Sequence, residues 1–397
     1  MKNELFIDAE NIQFDEIGPE LIVKVYDPKL GYHGVVVIDN RNLGVAKGGF
    51  RMTPHVTAYE VSRLARGMTL KNALAGLPFG GGKGGIRYDH RTVTPKQKQL
   101  IVEDFARKLK GLIPEFYISG PDMNIAEREM EQFARANGSW DACTGKPASY
   151  CTRSTGSTSS PQAGSGQAGK KKRCGLPHEL GSTGYGVALS TIAAAEYFKL
   201  DIKGMSVAIA GYGNVGQFAH KFLQEAGAKV VAVSDSQGTL FNEKGLDWRP
   251  LWQKKTKRGG TVTSSKAGKV LAGDEIYELD VDVLIPAAGS DVIHDKNVSK
   301  VKASIIVEGA NIPMKPHHEE RLHKRDVLVI PDIIANAGGV ISSYAELKGY
   351  DEAKMFKLIK QKIVPNVKEI LRVMEESKML PREAALAIAR ERVLRGS

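Results

Sequence analysis

The sequence has few cysteines, few aromatic residues and no long apolar run. Only three of its 397 residues are cysteines, and the spacing of Cys143, Cys151 and Cys174 is too irregular for a disulfide framework or a zinc site. No stretch approaches eighteen consecutive apolar residues, so the sequence predicts no membrane span. Residues 1–16 are acidic and lack an apolar core, which argues against a signal peptide. We therefore expect a reduced, cytoplasmic protein.

The rest of the composition is typical of a globular protein, with 42% apolar and 25% charged residues. A chain of this length exceeds one hydrophobic core and predicts two domains. Part of the formal net charge of +11 lies in residues 148–174, which contain five cations and no acid. Tyr150 is the only aromatic residue there, whereas nucleic-acid binding favours a basic face with interleaved aromatics. A solvated basic loop is therefore favoured over a nucleic-acid site.

The first part of the chain has the pattern of short strands followed by helices. β-branched residues between turn residues predict strands from Leu21 to Arg51. Apolar residues recur at helical spacing over residues 57–75. Thr94 followed by Pro95 is a typical helix start, because proline is well tolerated in the first turn.

From Gly181 onward, apolar runs alternate with helical segments, which predicts a parallel sheet with ligands at the carboxyl ends of its strands. We expect an α/β fold of two domains. Residues 1–180 form a substrate-binding and oligomerisation domain, and residues 181–340 form a Rossmann-type domain. Residues 341–397 are expected to be helical and to pack back on the first domain.

A glycine motif, GYGNVG at residues 211–216, carries the strongest local signal. It follows an apolar strand and opens an amphipathic helix, and Asp235 ends the next strand. In a dinucleotide fold, Gly211 permits the tight turn, Gly213 lets the backbone approach a pyrophosphate, and Gly216 allows close packing of helix on strand. The helix start adds N–H donors for the anion. The motif predicts NAD or NADP binding, and Asp235 favours NAD because an acid repels the NADP phosphate.

Three lysines form a second candidate site. Lys83 is embedded in GGGKGG, where the missing side chains would let a substrate approach the backbone. Lys47 and Lys71 also occur in glycine- or alanine-rich apolar surroundings. Clustered cations depress one another's pKa, so one of them can serve as a base near neutral pH. Asp122, beside a proline, offers an acid.

The motifs together resemble the glutamate dehydrogenase branch of the amino-acid dehydrogenase superfamily. The matching segments, in family order, are KGGFRM, MTLKNALAGLPFGGGKGGI, GPDMN, TGKP, STGYGV, GYGNVG, GAN and NAGGV. The similarity runs through nearly the whole chain. It implies a cleft between two domains as the active site, a homo-hexamer as the assembly, and reversible oxidative deamination of L-glutamate to 2-oxoglutarate and ammonia with NAD or NADP.

The resemblance also implies roles for residues at matching positions. Lys83 matches the catalytic lysine that activates water, and Asp122 matches the aspartate that transfers protons. The residues at substrate-binding positions are Lys47, Met68, Lys71, Gly120, Asn336 and Ser343. The residues at cofactor-binding positions are Thr183, Gly211, Gly213, Asn214, Val215, Gly216, Asp235 and Asn311. No metal is expected.

Relatives that act on leucine, valine or phenylalanine share several of these motifs. They are expected to have apolar residues where a cation and a hydroxyl hold the distal carboxylate of glutamate. This sequence has Lys47 and Ser343 at those positions. An unpaired lysine in an apolar pocket would be costly, which favours glutamate as the substrate.

Residues 148–174 depart from the family pattern, since relatives have only a few residues there. The segment is rich in Ser, Thr and Gly and is predicted to be disordered. A surface insertion, a local frameshift with recovery and a regulatory loop are three alternatives for its origin. Because the segment precedes Thr183, it could misplace that residue, and a catalytically impaired relative is therefore a further alternative.

Overall fold

The computed structural model describes residues 11–152, 172–177 and 180–396. The first sheet has six strands, in the order β1-β2-β5-β3-β6 with β4 also paired to β5. Its β1, β2 and β5 are antiparallel, while β3 and β4 run parallel to β5. The strands are β1 Leu21–Asp27, β2 Tyr32–Asn40, β3 Ala46–Lys47, β4 Phe50–Thr53, β5 Gly80–Arg87 and β6 Tyr117–Ile118. The predicted strands between Leu21 and Arg51 are confirmed.

Three helices pack with this sheet: α1 Ala58–Leu74, α2 Pro95–Lys108 and α3 Glu127–Asn137. Thr57 caps α1 by accepting a hydrogen bond from the Glu60 N–H, and Thr94 caps α2 in a reciprocal bond with Gln97. Both helices that the sequence predicts in this region are therefore confirmed, with starts set by threonine caps. Helix α1 lies against β5 and carries Lys71 towards the second sheet.

The glycine run forms the buried strand β5, and its glycines make room for protein atoms. A Cβ at Gly81 would overlap the Thr69 side chain, and one at Gly84 would lie 2.7 Å from the Phe50 Cβ. These glycines therefore allow a helix and a neighbouring strand to approach closely. The expectation that they admit a substrate to the backbone is wrong, because the space is already filled.

The second sheet has seven strands in the order β10-β9-β8-β7-β11-β12-β13. The strands are β7 Ser206–Ala210, β8 Lys229–Asp235, β9 Gly238–Phe241, β10 Lys269–Leu271, β11 Val283–Pro286, β12 Ile305–Val307 and β13 Leu328–Ile330. Five neighbouring strands of this sheet run parallel to one another, as predicted: β8, β7, β11, β12 and β13. The antiparallel strands β9 and β10 at the edge were not anticipated, because both are short and lack a clear apolar alternation.

Helices cover both faces of this sheet and continue to the end of the chain. They are α4 Ser182–Tyr197, α5 Asn214–Glu225, α6 Trp248–Lys255, α7 Pro316–His323, α8 Asp332–Ala335, α9 Gly338–Leu347, α10 Glu352–Ser377 and α11 Pro381–Arg395. The last helix packs on α1, and α10 packs on α4. One apolar core therefore joins α1 to the second sheet and the carboxyl-terminal helices. No helix of the described ranges is long and apolar enough to cross a membrane.

Most of the segment predicted to be disordered, residues 153–171, lies outside the described residues. Its two ends are paired, since the Thr152 N–H donates to Arg173 O and the Gly175 N–H donates to Tyr150 O. A disulfide joins Cys151 to Cys174, while Cys143 is a buried free thiol. The expectation of a fully reduced protein is therefore wrong here, because chain pairing brings together two cysteines that are 23 positions apart.

Candidate active-site cleft

A cavity of about 350 Å³ lies between the two sheets and collects most of the predicted site residues. The substrate-side residues and the two catalytic candidates all line it. The predicted residues on its walls are Lys47, Met68, Lys71, Lys83, Gly120, Asp122, Thr183, Val215, Asn311, Asn336 and Ser343. Residues from distant parts of the sequence therefore converge on one space.

Lys83 and Asp122 form an ion pair in this cavity. Lys83 points from β5, and its Nζ lies 3.0 Å from Asp122 Oδ2. Arg51 Nε donates to the same carboxylate at 2.8 Å and also pairs with Glu60. Burial raises the pKa of Asp122, but Lys83 and Arg51 outweigh it and hold this pKa below its usual value. Sequence reasoning missed Arg51, although it lies inside the KGGFRM motif.

Lys71 reaches across the cleft to two asparagines of the second sheet. Its Nζ donates to Asn336 Oδ1 at 2.6 Å and to Asn311 Oδ1 at 3.2 Å. The Asn336 amide also donates to Asn311 at 3.0 Å, so the three side chains form one network. Burial lowers the pKa of Lys71. Asn311, predicted on the cofactor side, thus lies beside the lysine predicted to hold the substrate.

Lys47 is buried at another wall of the cavity. Its Nζ donates to Ser119 O at 3.0 Å, and the described part of the chain places no carboxylate within ion-pair distance of it. Burial is the main cause that lowers the pKa of Lys47 to about 7, and repulsion from Lys83 adds less. From the sequence, a lowered lysine pKa was expected to arise from repulsion among the three lysines, but desolvation is the larger cause for Lys47.

Two hydroxyl groups bear on the surroundings of Lys47: Ser343 lines the same cavity, and Thr144 lies near Lys47 beside Gly120. Ser343, on α9, is 8% exposed and donates to Gly339 O at 3.2 Å. Thr144 Oγ1 is buried and has no hydrogen-bond partner among the described residues, and it faces Gly120, where an added Cβ would lie 3.4 Å from it. Thr144 was missed, although the TGKP motif was noted. A polar group of a ligand in the cavity could bind Lys47 and the Ser343 hydroxyl, which both line it.

A buried ion pair fixes this region to the helix that carries Ser343. Lys146 Nζ lies 2.7 Å from Glu346 Oε1 on α9, and neither side chain is more than 1% exposed. The Gly145 N–H donates to the other Glu346 oxygen at 2.8 Å. The TGKP segment and α9 are therefore held together, which fixes the positions of Thr144 and Ser343.

The glycine turn at residues 211–213 joins β7 to α5. Gly211 has φ +104°, and a Cβ there would lie 2.5 Å from the Ala288 backbone. A Cβ at Gly216 would overlap Gly211 O, so this glycine permits close packing of α5 on the turn. Gly213 instead faces open space at the start of α5, which begins at Asn214. A dinucleotide pyrophosphate fits this turn, because free space and helix N–H donors coincide there.

Asp235 lies at the end of β8, but its carboxylate is already engaged. Oδ2 pairs with Lys255 at 2.7 Å and accepts from the Val262 N–H at 2.9 Å. Oδ1 accepts from the Thr261 hydroxyl and the Gln237 N–H, both at 3.0 Å. The carboxylate is 6% exposed and holds the segment after α6 against β8. The argument for NAD requires a free acceptor at Asp235, and the geometry does not provide one.

Comparison with known proteins places this geometry in a family. The family model described as Glu/Leu/Phe/Val dehydrogenase, dimerisation domain, matches residues 19–137. The model described as Glutamate/Leucine/Phenylalanine/Valine dehydrogenase matches residues 175–397. Together they cover both sheets and the carboxyl-terminal helices.

Individual relatives agree with the family models. The chain is 40% identical to a glutamate dehydrogenase of Aeropyrum pernix, over 90% of this chain and 84% of that protein. It is 35% identical to an NADP(+)-dependent glutamate dehydrogenase of Pyrobaculum calidifontis, over 91% and 85%. The crystal structure of a hetero-hexameric glutamate dehydrogenase from Thermus thermophilus superposes with a TM-score of 0.79 and 28% identity, over 96% of this chain and 89% of that one. The chain therefore belongs to the glutamate/leucine/phenylalanine/valine dehydrogenase family.

Proposed function

We propose that this protein is an NAD(P)-dependent glutamate dehydrogenase, which converts L-glutamate reversibly to 2-oxoglutarate and ammonia. The observation that carries the choice of glutamate is Lys47, a buried amine that lines the same cavity as Ser343 and has no carboxylate of the described residues within ion-pair distance. A distal substrate carboxylate would supply the missing partner. An apolar amino acid would leave the lysine unpaired in a desolvated pocket, which is unfavourable. The named relatives support the same substrate.

The cavity offers a separate site for the α-carboxylate of the amino acid. Lys71, held by Asn311 and Asn336, lies on the wall opposite the second sheet. Its ammonium group would pair with the α-carboxylate, while Lys47 pairs with the distal one. Two cations at the two ends of a dicarboxylate fix both its position and its orientation.

Lys83 and Asp122 would move protons between these two anchors. When bound, an oxidised nicotinamide supplies the acceptor for the hydride of the substrate Cα. After Lys83 has passed its proton to Asp122, the neutral amine would take a proton from the water that adds to the resulting imine. Asp122 would then give its proton to the nitrogen that departs as ammonia. The 3.0 Å separation of Lys83 and Asp122 lets them share a proton during this sequence.

The cofactor is NAD or NADP, and the glycine turn at residues 211–213 fits either. The slight preference for NAD stays a prediction. The geometry of Asp235 does not support this preference, since both of its carboxylate oxygens are engaged by neighbouring residues. A relative that depends on NADP(+) is 35% identical to this chain. We propose that Asp235 organises the segment around Val262 and does not read the ribose.

Four further predictions accompany this function. We propose a homo-hexamer, a cytoplasmic location, a domain boundary near residue 180 and a surface insertion at residues 148–174. The two ends of the insertion are paired with each other, so the fold can accommodate the extra residues without separating the segments on either side. Thr183 lines the cavity despite the insertion, which favours an active enzyme over a catalytically impaired relative.

The direct test is the oxidation of NADH or NADPH in the presence of ammonium and a keto acid. The purified chain should consume cofactor with 2-oxoglutarate and show little turnover with 2-oxoisocaproate. Faster turnover of 2-oxoisocaproate would instead indicate a leucine-type enzyme. A folded preparation that turns over neither keto acid would contradict the proposed function.

A further inference from the structure

Arg382, in the first turn of α11, has a carboxylate at each of its three guanidinium nitrogens. Nε donates to Glu319 at 2.6 Å and Nη1 donates to Asp332 at 2.8 Å. Nη2 donates to Glu308 at 2.5 Å, and the Glu308 side chain is fully buried. Desolvation offsets much of the attraction in such a buried cluster. The cluster therefore contributes little net stability, and its main effect is to fix the positions of the segments that carry the three acids.

Two of these acids tie together the segments that form one wall of the cleft. Glu308 immediately precedes the loop at residues 309–311, and Asp332 is the first residue of α8. The Asp332 N–H donates to Glu308 at 2.8 Å. The other Asp332 oxygen accepts from the Ile312 N–H at 2.9 Å. Arg382 thus holds both segments in one register.

These segments carry Asn311 and Asn336, which are the partners of Lys71. Asn336 also donates to the Ala310 carbonyl at 3.2 Å, so its amide reports on the position of the loop. A shift of either segment would move an oxygen away from the lysine. Arg382 also offsets the charge of nearby carboxylates, which would otherwise repel a substrate carboxylate held by Lys71.

Helix α11 also contacts the opposite wall of the cleft, through Arg392 near its carboxyl-terminal end. Arg392 Nη1 donates to Leu74 O at 2.7 Å and Ala73 O at 3.2 Å, at the end of α1. Helix α1 carries Lys71. The last helix therefore contacts the element that bears the lysine and the segments that bear its two asparagine partners.

We propose that Arg382 is a positioning residue for the substrate site, which aligns Asn311 and Asn336 with Lys71 across the cleft. Helix α11 thereby sets the spacing between the two walls. The inference deepens the proposed function and rests on it, because Lys71 is taken to hold the α-carboxylate.

The test combines an Arg382→Lys variant with a matched control, Arg372→Lys. Lysine keeps the charge but cannot reach three carboxylates in a fork. Arg372 makes an exposed ion pair with Glu376 in α10, so its replacement controls for the chemical change. The KM for 2-oxoglutarate should rise about tenfold in Arg382→Lys, while kcat and the cofactor KM change less. Arg382→Met should give a larger effect in the same direction.

Two further readouts separate alignment from stability alone. Amide hydrogen exchange should accelerate at residues 308–312 and 332–336 in Arg382→Lys but not in Arg372→Lys. In a double-mutant cycle with Asn336→Ala, the two effects on KM should be less than additive, because Arg382 acts through Asn336. Unchanged exchange in these two segments, an unchanged KM with a lowered melting temperature, or full additivity would each overturn the inference.

The outcomes also distinguish this inference from the proposed function. A wild-type chain that does not turn over 2-oxoglutarate would refute the function, whereas the exchange rates would still decide whether Arg382 holds the two segments. Should Arg382→Met fail to fold, the lysine variant keeps the comparison valid.

Discussion

The Nζ atom of Lys83 lies 3.0 Å from the Oδ2 atom of Asp122, and Arg51 Nε donates a hydrogen bond to the same oxygen at 2.8 Å. The acid is thereby kept ionised and pointed at the lysine. Lys83 in turn extends from a strand whose neighbouring glycines pack against protein atoms. The pair proposed to transfer protons is therefore anchored, through Lys83, in the buried centre of the first sheet.

Removal of either partner should slow the chemical step. Lys83→Met and Asp122→Asn should each lower kcat by about 10²- to 10⁴-fold, since general acid–base catalysis contributes that much. Steady-state kinetics with saturating 2-oxoglutarate, ammonium and cofactor would measure the loss. Lys296→Met, at an exposed position, is the matched control and should retain wild-type kcat. A Lys83→Met variant with undiminished kcat would remove Lys83 from the mechanism.

Substrate binding should depend on pH through Lys47. The pKa of Lys47 is lowered to about 7, so above this pH the free protein holds the amine neutral. A bound distal carboxylate favours the charged form and raises the pKa. Binding of 2-oxoglutarate should therefore take up a proton above about pH 7 and almost none well below it.

Calorimetry in buffers of different ionisation enthalpy would measure this proton uptake. The keto acid 2-oxoisocaproate has the same α-carboxylate but no distal one, so it controls for protonation at Lys71. Equal proton uptake for the two ligands near pH 8 would argue against a distal carboxylate partner for Lys47.

Asp235 should affect both cofactors alike. Because its oxygens bind Lys255, Thr261 and the Val262 N–H, Asp235→Asn should loosen that segment and raise the KM for NADH and NADPH by similar factors. Asp201→Asn, a turn carboxylate that accepts from the Lys203 N–H, should change neither KM. A shift in the ratio of the two KM values of more than about tenfold, or 1.4 kcal/mol, would show that Asp235 reads the ribose.

The disulfide between Cys151 and Cys174 should contribute to stability without serving catalysis. A cross-link that closes a loop of this length lowers the conformational entropy of the unfolded chain, which stabilises the folded state by about 3 kcal/mol. Reductant should therefore lower the free energy of unfolding of the native protein but not that of a Cys151→Ser variant, and kcat should be equal in both. Two rapidly titrated thiols in the untreated native protein would contradict the assigned bond.

Much of the fold could be predicted from the sequence where local signals agree. Thr57 and Thr94 begin helices because their hydroxyls cap free N–H groups. The strand–glycine–helix order around Gly211 can likewise be predicted from residues that are adjacent in the sequence. The role of the glycines in β5 could not be predicted. It depends on Thr69 and Phe50, which other elements bring against the strand.

The site residues show the same division. The motifs identified Lys47, Lys71 and Lys83, but not which groups engage them. Lys255 reaches Asp235 only because the chain folds back and brings together two residues that are 20 positions apart in the sequence. Arg382 could not be singled out from the sequence, because its three acids come together only in the folded structure.

The choice of glutamate rests on Lys47, and its replacement by leucine tests that choice most directly. The ratio of kcat/KM for 2-oxoglutarate to that for 2-oxoisocaproate should be measured in the wild type, in Lys47→Leu and in an exposed control, Lys110→Leu. Loss of a charged hydrogen bond costs about 1.5–3 kcal/mol, so the ratio should fall by at least roughly tenfold in Lys47→Leu alone. A ratio that is unchanged in Lys47→Leu, with the protein folded, would contradict the carboxylate pocket and with it the assignment of glutamate.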